Sequence, residues 1–414
     1  MVLTHALTYE ESLIETRALK GSKYTRILVE DLPEPYATSS AFSPPSVVPI
    51  SENPVLKAPG GFQVNIFADD LDQPRWLALT PEGDILVTET RRNRIVRLKD
   101  WDLDGVADNI TQFAGPQNGL RIPFGMTFVP VEDYYWFYVG NSAEVRRYKY
   151  EYGDQGLTGE GEKIFDLPGG GYNQHWTRNV VHNKTHLFVS VGSRSNVNEE
   201  ELPRASIILM SLDGTWNRTF AYGLRNPVGM DFHPVTGDLY TTVNERDGLG
   251  DDLVPDYMTK VEDGGFYGWP YAYLTPDLLD PRHLNSSGGS TNPELVAQTI
   301  KPSILFQSHS AALGLAFYTG KTFPRRYHNG AFVAFRGSWN RNAGTGYKIV
   351  FVPFSRRRHV SYWGYEDFVS GFLIDPYGPT TWGRPVGVLA APDGSLLFTE
   401  EPNGRIYRVQ YLRF

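Results

Sequence analysis

The stretch LDQPRWLALTPEGDILVTETRRNRIVRL (residues 71–98) returns near the other end of the chain as WGRPVGVLAAPDGSLLFTEEPNGRIYRV (residues 382–409). Each copy contains an apolar run after a proline, a tight turn, a β-branched strand that ends in Thr-Glu, a polar turn and a strand of alternating pattern. Such a unit exposes an apolar face that a neighbouring copy has to cover. The repeat therefore predicts a radial or stacked array of β units.

Four weaker echoes of this unit lie between the two clear copies. They read RIPFGMTFVPVEDYYWFYVGNSAEVRRYKY (from residue 121), HWTRNVVHNKTHLFVSVGS (from 175), LRNPVGMDFHPVTGDLYTTVNE (from 224) and HSAALGLAFYTG (from 309), followed by GAFVAFRGSW (from 330). Their spacing of roughly 50 residues suits four short strands per unit, the period of a propeller blade. We therefore predict an all-β protein: a six-bladed β-propeller with four-stranded antiparallel blades, whose last blade is completed by the strand Phe62–Ala68.

The repeat also divides the chain. Residues 1–60 precede it, and the Pro- and Ser-rich stretch 33–61 has no periodicity, so this part is either a linker or a strap across the propeller. Residues 61–414 are predicted to form one catalytic propeller domain.

The composition excludes several classes of function. The 414 residues carry a net charge of −8 and no cysteine. Nucleic acid or an anionic membrane is therefore not expected as a partner, since both need a basic surface. Disulfides, thiolate metal sites and cysteine nucleophiles are ruled out.

Signals in the sequence bear on the compartment as well. No run reaches the ~18 apolar residues of a membrane span, and residues 1–20 lack the apolar run of a signal peptide. Four Asn-X-Ser/Thr sequons favour a secreted eukaryotic glycoprotein whose signal peptide is not present in this chain, although chance matches in a cytosolic protein are the alternative. They start at Asn109, Asn183, Asn217 and Asn285.

Arginines recur where the units begin or turn. Propellers place function where the loops between units converge, at one end of the central channel. The candidates are Arg178, Arg225, Arg336 and Arg384. In one shared channel they would repel one another unless an anion or internal carboxylates lay among them. The pattern predicts a ligand with several carboxylates, and the alternative is that each arginine bridges neighbouring blades through a local Asp or Glu.

The loop VNERDGLGDDLVPDY (residues 243–257) is a candidate cation site. It is dense in carboxylates and glycine, and it offers both side-chain and backbone oxygens to a hard cation such as Ca²⁺. The alternative is that Asp251 and Asp252 cap turns or balance the arginines.

A second acidic loop resembles the calcium loop in spacing. Its positions 1, 3, 5 and 9 are Asp100, Asp102, Asp104 and Asp108. Thr111 stands at position 12, where that loop has a bidentate Glu, so another group or water has to complete the shell. We expect a structural Ca²⁺ here, and an ordinary acidic turn is the alternative.

His175 is the candidate general base. It lies in GGGYNQHWTRN (residues 169–179), a glycine-led loop that enters a new unit. Histidine is the usual base near neutral pH, and a position at the channel mouth suits that role. His182, His186 and His309 compete for it, and a purely structural histidine is the alternative.

The chain resembles a known family over about residues 60–410. The motifs GLRNPVGM, NERDGLGDD, GGFYGWPY, HSAALGLAFY and FRGSWNR occur in this order. The set is similar to the soluble sugar dehydrogenases that depend on pyrroloquinoline quinone (PQQ), and to sorbosone-dehydrogenase-like propellers. The fungal PQQ-dependent pyranose dehydrogenases are the nearest in pattern.

The resemblance implies roles for particular residues. His175 would take the proton of a sugar hydroxyl while hydride passes to PQQ, and Arg225 would stabilise the charge that develops. The backbone carbonyls of Asp247 and Gly248 would bind the Ca²⁺ that polarises the quinone. The other implied cofactor-binding residues are Gln117, Arg178, Asn226, His309, Arg336, Trp339 and Arg384.

The sequence-based hypothesis is thus an oxidoreductase that oxidises a pyranose with PQQ and Ca²⁺. Electrons would pass to a cytochrome b domain or another acceptor. The alternative is a calcium-dependent β-propeller lactonase or other hydrolase, which needs carboxylates and amides from several blades around one ion, whereas here the unit starts present arginines.

Overall fold

The structure is a computed structural model that describes residues 7–19, 24–169, 175–355, 357, 361 and 364–412. β-Strands predominate in this part of the chain, where the α-helices are single turns, α1 (Tyr9–Ser12) and α2 (Pro293–Val296). Short 3₁₀ turns lie at Val29–Asp31, Thr90–Arg92, Pro116–Asn118, Pro281–His283 and Arg325–Tyr327. None of the helices within the described ranges is long and apolar enough to cross a membrane.

The strands follow the repeated units along the chain. Those that precede the first unit are β1 (Glu15–Ala18), β2 (Tyr24–Thr25), β3 (Ser46–Val47), β4 (Val55–Ala58) and β5 (Phe62–Ala68). Those of the first half of the repeat are β6 (Pro74–Leu79), β7 (Ile85–Glu89), β8 (Arg94–Lys99), β9 (Asn109–Ala114), β10 (Met126–Val131), β11 (Tyr134–Asn141), β12 (Glu144–Tyr150), β13 (Glu162–Asp166), β14 (Val180–His182), β15 (His186–Val191), β16 (Ser206–Ser211) and β17 (Asn217–Tyr222). Those of the second half are β18 (Pro227–Phe232), β19 (Leu239–Val243), β20 (Tyr257–Lys260), β21 (Gly265–Phe266), β22 (Ile304–Leu305), β23 (Ala312–Phe317), β24 (Ala331–Phe335), β25 (Lys348–Val352), β26 (Tyr365–Val369), β27 (Leu373–Asp375), β28 (Thr380–Thr381), β29 (Pro385–Ala390), β30 (Leu396–Glu400) and β31 (Arg405–Tyr411).

Most of these strands form sheets of four antiparallel strands, one for each repeated unit, while β1 with β4, and β27 with β28 and β3, form two small additional sheets. The strand orders are β6-β7-β8-β9, β10-β11-β12-β13, β14-β15-β16-β17 with β21 added in parallel, β18-β19-β20-β22, β23-β24-β25-β26 with β2 added, and β29-β30-β31-β5. The first strands contact one another in chain order, and β29 contacts β6, so that they form a ring. The fold is therefore all-β and of the propeller type, as the repeat predicts.

Strand β5 completes the sheet of the C-terminal strands. It pairs antiparallel with β31, with Phe62 opposite Tyr411 and Ala68 opposite Ile406. The prediction that Phe62–Ala68 completes the last unit is confirmed. Because β5 leads directly into β6, the last sheet is covalently joined to the first.

The first strands of several sheets begin with the same irregularity. Pro74, Pro227, Ala312 and Pro385 lie opposite the ends of the second strands, and the register shifts before the residue three positions later. In an antiparallel pair, residues before the first strand lie beside those after the second. The ring thus gathers these two loops from different units at one end.

Neighbouring first strands approach so closely that only glycine fits at the contact. A Cβ added at Gly229 would lie 2.2 Å from the Leu313 carbonyl oxygen, and one at Gly387 would lie 2.2 Å from that of Arg75. Any side chain at these positions would force the strands apart. This contact explains why glycine recurs in the Pro-Val-Gly motifs.

Buried threonines bridge the same pairs of strands. Thr242 accepts a hydrogen bond from the Gly229 amide and donates one of 2.7 Å to the Leu313 carbonyl oxygen of the next sheet. Thr399 accepts from the Gly387 amide and donates one of 2.8 Å to the carbonyl oxygen of Arg75. Each hydroxyl satisfies one polar group in its own sheet and one in the next.

An apolar cluster packs the centre of the ring. Each unit contributes one residue, namely Trp76, Phe124, Trp176, Val228, Leu313 and Val386. The centre is therefore filled by side chains, and a ligand site is expected where the loops rise above it.

Replacing Gly387 by alanine tests the close approach of the strands. We expect the free energy of unfolding to fall by about 1–3 kcal/mol or more, as for an overpacked core. Denaturant titration measures this loss. Gly60→Ala is the matched control, since a Cβ at Gly60 meets nothing within 4 Å. Equal stability of the two variants would contradict the predicted contact.

Candidate active site

A cavity of about 400 Å³ lies at the end of the ring where the loops gather. Three residues of the central apolar cluster, Trp176, Val228 and Leu313, contribute to its lining. Most of the polar lining comes from residues just before first strands and just after second strands, whereas Arg75 lies within β6 and Asp256 just before β20. It includes Arg75, His175, Arg225, Asn226, Asn244, Glu245, Asp247, Asp256, His309, Arg336 and Arg384.

One wall of the cavity is cationic. Arg75 and Arg336 form ion pairs of 3.0 and 2.8 Å with the buried carboxylate of Glu401. Arg384 donates to the backbone carbonyls of Arg336 and Gly337 at 3.2 and 3.1 Å. Two of these guanidinium groups therefore share one carboxylate, and the third is bound by backbone carbonyls.

The pKa values reflect this excess of positive charge. Burial alone would raise the pKa of Glu401, but the charges of Arg75 and Arg336 lower it to about 2. Burial and the neighbouring Arg336 lower the pKa of Arg384 to about 9. An anion with more than one charge would relieve this repulsion.

His175 is held with a defined ring orientation. Its Nδ1 lies 2.9 Å from both the carbonyl and the hydroxyl oxygen of Ser193, and that hydroxyl donates to the Ser195 carbonyl. Since both Ser193 oxygens can accept, Nδ1 carries the hydrogen and Nε2 the lone pair. Desolvation of the ring, together with the charge of Arg225, lowers the pKa of His175 well below its ordinary value. The ring is therefore neutral at pH 7.

His309 differs from His175, because both of its ring nitrogens face acceptors. Its Nε2 lies 2.9 Å from the Gly250 carbonyl and its Nδ1 lies 3.4 Å from the Asp247 carboxylate. Burial opposes protonation, but these two contacts raise the pKa of His309. Since both ring nitrogens of His309 are engaged by these acceptors, it is less suited than His175 to be the base.

Three residues of the cavity lining have an unusual backbone conformation. His175, His309 and Ala311 adopt left-handed conformations, with φ of 52°, 66° and 55°. Such conformations cost energy in non-glycine residues and persist at functional sites.

Arg225 is engaged at every nitrogen of its guanidinium. Nε donates to the Asn196 carbonyl and Nη1 to that of Glu245, at 2.9 and 2.7 Å, while Nη2 contacts the side chains of Asn196 and Asp247. It therefore fixes the loop after β19 and supplies positive charge to the cavity. The neighbouring Asn226 has a buried Oδ1 with no hydrogen-bond partner in the described part of the chain.

Three carboxyl groups lie in the cavity lining. Burial raises the pKa of Glu245 to about 7 and that of Asp256 to about 6. Burial acts on Asp247 in the same direction, but its contact with His309 and the charge of Arg225 lower its pKa. The Asp247 carbonyl, a predicted cation ligand, accepts a 2.9 Å hydrogen bond from Asn196.

The structure brings most of the predicted site residues into this cavity. His175, Arg225, Asn226, Asp247, His309, Arg336, Trp339 and Arg384 all contribute to its lining.

Three other predicted residues do not line the cavity. Gln117 is exposed in the 3₁₀ turn Pro116–Asn118. Arg178 is buried and donates to the backbone carbonyls of Pro168, His175 and Thr177. Gly248 lies beside the cavity, where its amide donates to the Asn340 side chain at 3.0 Å. Residues 170–174 of the loop before His175 lie outside the described residues.

The second acidic loop lies at the far end of its sheet, because β8 starts beside the cavity end of β7 and runs away from it. Ligand atoms of Asp100, Asp102 and Asp108 lie within 4.8 Å of one another. The Asp104 carboxylate instead accepts from the Val106 amide at 2.8 Å.

Sequence reasoning missed Arg75 and Glu401. Both lie within the quoted repeat, but Arg75 follows its proline whereas Arg384 precedes Pro385. Pro74 and Pro385 take equivalent positions in the strand pairing of their sheets, so Arg75 stands where the other copy of the repeat has Val386. Comparing the copies residue by residue would have revealed the charge at an apolar position.

The titration of His175 is a direct test of this geometry. We expect ¹⁵N NMR of the folded protein to show a neutral ring with hydrogen on Nδ1 and a pKa below 6.5. In denaturant the same ring should titrate near 6.5, since desolvation is lost. Because the folded state resists protonation, acid lowers stability below this pH. A folded-state pKa at or above 6.5 would contradict the assignment.

Comparison with known proteins places the chain in a family. The TrAA12-like family model matches residues 56–263 and 267–412. An uncharacterized protein from Borreliella burgdorferi is 29% identical over 361 residues, which cover 86% of this chain and 91% of that protein.

Two further relatives have described activities. A pyrroloquinoline quinone-dependent pyranose dehydrogenase from Coprinopsis cinerea is 24% identical over 86% of this chain, and the match covers 54% of that longer protein. The chain thus spans about half the length of that enzyme. The holo form of a pyranose dehydrogenase PQQ domain from Coprinopsis cinerea superposes with a TM-score of 0.69 at 19% identity, over 87% of this chain and 98% of the domain. This likeness shows the fold, and the match to the family model leads to one conclusion: the chain belongs to the TrAA12-like family.

Proposed function

We propose that this protein is a PQQ-dependent sugar dehydrogenase that oxidises a pyranose. The six sheets with four antiparallel strands are proposed to be the blades of a six-bladed propeller over residues 61–414, with residues 1–60 as an extension. Family membership supports the enzyme class. The observation that carries the proposal is that three arginines, two of them ion-paired with Glu401, line the same cavity as a histidine whose pKa is lowered well below its ordinary value.

The residues present fit this cofactor. When bound, PQQ supplies a quinone carbonyl that accepts hydride and several carboxylates that need cationic partners. Arg75, Arg336 and Arg384 would hold those carboxylates, since Glu401 balances only part of their charge. The unpartnered Oδ1 of Asn226 marks a polar position that a ligand would complete.

His175 is the proposed general base. With Nδ1 held by Ser193, Nε2 would take the proton of the sugar hydroxyl as hydride leaves the carbon that bears this hydroxyl. Arg225 is fixed by backbone carbonyls, so its charge stabilises negative charge in the cavity without reorganisation. A cytochrome b domain or another one-electron acceptor is the proposed partner that removes the electrons.

Calcium is proposed at two places. The first is near Asp247 and Gly248, where Glu245 and Asp256 add acidic oxygens to the cavity lining. The second is a structural ion between Asp100, Asp102 and Asp108, at the far end of the first sheet. Secretion with glycosylation at the four sequons is part of the same proposal.

Replacing His175 by alanine should separate catalysis from cofactor binding. We expect turnover to fall by about 10²–10⁴, the usual worth of a positioned base, while PQQ affinity stays near that of the wild type. Stopped-flow reduction of bound PQQ by sugar measures the step. The companion variant Arg384→Ala should weaken PQQ binding and change turnover less, because it loses a contact with a carboxylate. Near-normal turnover of His175→Ala would place the base elsewhere.

Removal of calcium tests the proposed cation in the cavity. Calorimetric titration should show PQQ binding in Ca²⁺ and at least about tenfold weaker binding after chelation, because buried oxygens would then lack their cation. Asp102→Asn serves as control: it should keep PQQ affinity but lose the rise in melting temperature that Ca²⁺ gives. Equal PQQ affinity after exhaustive chelation would remove the cation from the site.

A further inference from the structure

The N-terminal residues 36–43 border the mouth of the cavity, although they precede the family match, which starts at residue 56. The Tyr36 amide donates to the Leu249 carbonyl at 2.8 Å. The Thr38 hydroxyl accepts a 2.8 Å hydrogen bond from the Asp251 amide. The segment is therefore anchored to the loop that follows the cavity residues Glu245 and Asp247 rather than lying loose over it.

Phe42 is fixed at this mouth by contacts on both sides of it. The Asn340 side chain donates to the Ala41 carbonyl at 2.5 Å, and the Ser43 amide donates to the Trp339 carbonyl at 2.8 Å. The rings of Phe42 and Trp339 have centroids 5.7 Å apart and an interplanar angle of 70°. Phe42 is nevertheless 78% exposed and Trp339 42% exposed.

This pair continues the cavity outward, because Trp339 is itself part of the lining. Exposed single hydrophobic residues are common, but here the backbone on both sides of Phe42 is hydrogen-bonded and the ring contacts the cavity residue Trp339. A rigid aromatic corner of this kind suits a ligand that is amphipathic and ring-shaped, with C–H groups on one face and polar groups at its edge. A sugar ring has this character.

The size of the cavity sets where such a ring would lie. At about 400 Å³ the cavity is near the lower end of the range for ligand pockets. A tricyclic cofactor and one sugar ring would fill it. A further unit of the substrate that leaves the cavity beside Trp339 would meet Phe42.

We propose that Phe42 and Trp339 form an outer subsite for a second sugar unit, so that an oligosaccharide or another glycoside binds more tightly than a free monosaccharide. The inference rests on the proposed function for the ring that reacts in the cavity. It assigns specificity to a segment that lies outside the family match.

The test compares Phe42→Ala with the wild type, with cellotetraose and maltotetraose as β- and α-linked probes and glucose as the single-ring comparison. Tyr152→Ala is the matched control, since Tyr152 is an aromatic residue 71% exposed that does not line the cavity. Dissociation constants come from ligand-observed NMR without PQQ, and KM and kcat come from the enzyme loaded with PQQ and Ca²⁺.

We expect Phe42→Ala to weaken binding of at least one tetrasaccharide about three- to tenfold, the loss of one aromatic stacking contact, and to raise its KM in proportion. The constants for glucose, and kcat for every sugar, should stay unchanged, as should all values for Tyr152→Ala. The proposal is overturned if Phe42→Ala binds both tetrasaccharides as the wild type does, if the wild type binds neither, or if glucose is affected equally. A Phe42-dependent tetrasaccharide affinity without turnover would keep the subsite and sink the proposed dehydrogenase activity.

Discussion

The fold depends on one contact, the close approach of neighbouring first strands bridged by buried threonine hydroxyls. Thr242 and Thr399 each join an amide of their own sheet to a carbonyl of the next, and glycine leaves the strands room to meet. A buried polar group without a partner is costly, so this arrangement holds only when the next sheet is in place. The ring is therefore cooperative, and the loops that it gathers have little freedom to move relative to one another.

That rigidity allows the protein to hold like charges together. Three arginines of the cavity wall come from different sheets, and the Glu401 carboxylate pairs with two of them. In a flexible scaffold they would separate, whereas here the unfavourable charge remains available for an anionic ligand. The two histidines differ for a related reason: burial and the charge of Arg225 lower the pKa of His175, whereas contacts with Asp247 and the Gly250 carbonyl raise that of His309 despite its burial.

The repeat made the fold predictable, because its turns and strand pattern recur along the chain. The strand Phe62–Ala68 precedes the first unit, so it is expected to complete the last one, and it pairs with β31. Because the units repeat, the residues at their starts could also be predicted to line a common cavity. Arg178 does not line the cavity, because its guanidinium is buried and donates hydrogen bonds to the backbone carbonyls of Pro168 and Thr177. The contacts of Phe42 with Trp339 were beyond prediction, since they join segments about 300 residues apart with no pattern in common.

Strand β5 has a consequence for how the protein is made. Residues 62–68 leave the ribosome early but find their partner only when residues 405–411 follow. During synthesis, an apolar strand edge stays open while the intervening units are added, and such edges invite association with other chains. Closure of the ring also requires contacts between residues that are far apart in the sequence, and such contacts slow folding. The nascent protein is thus most in need of a chaperone until its last unit emerges.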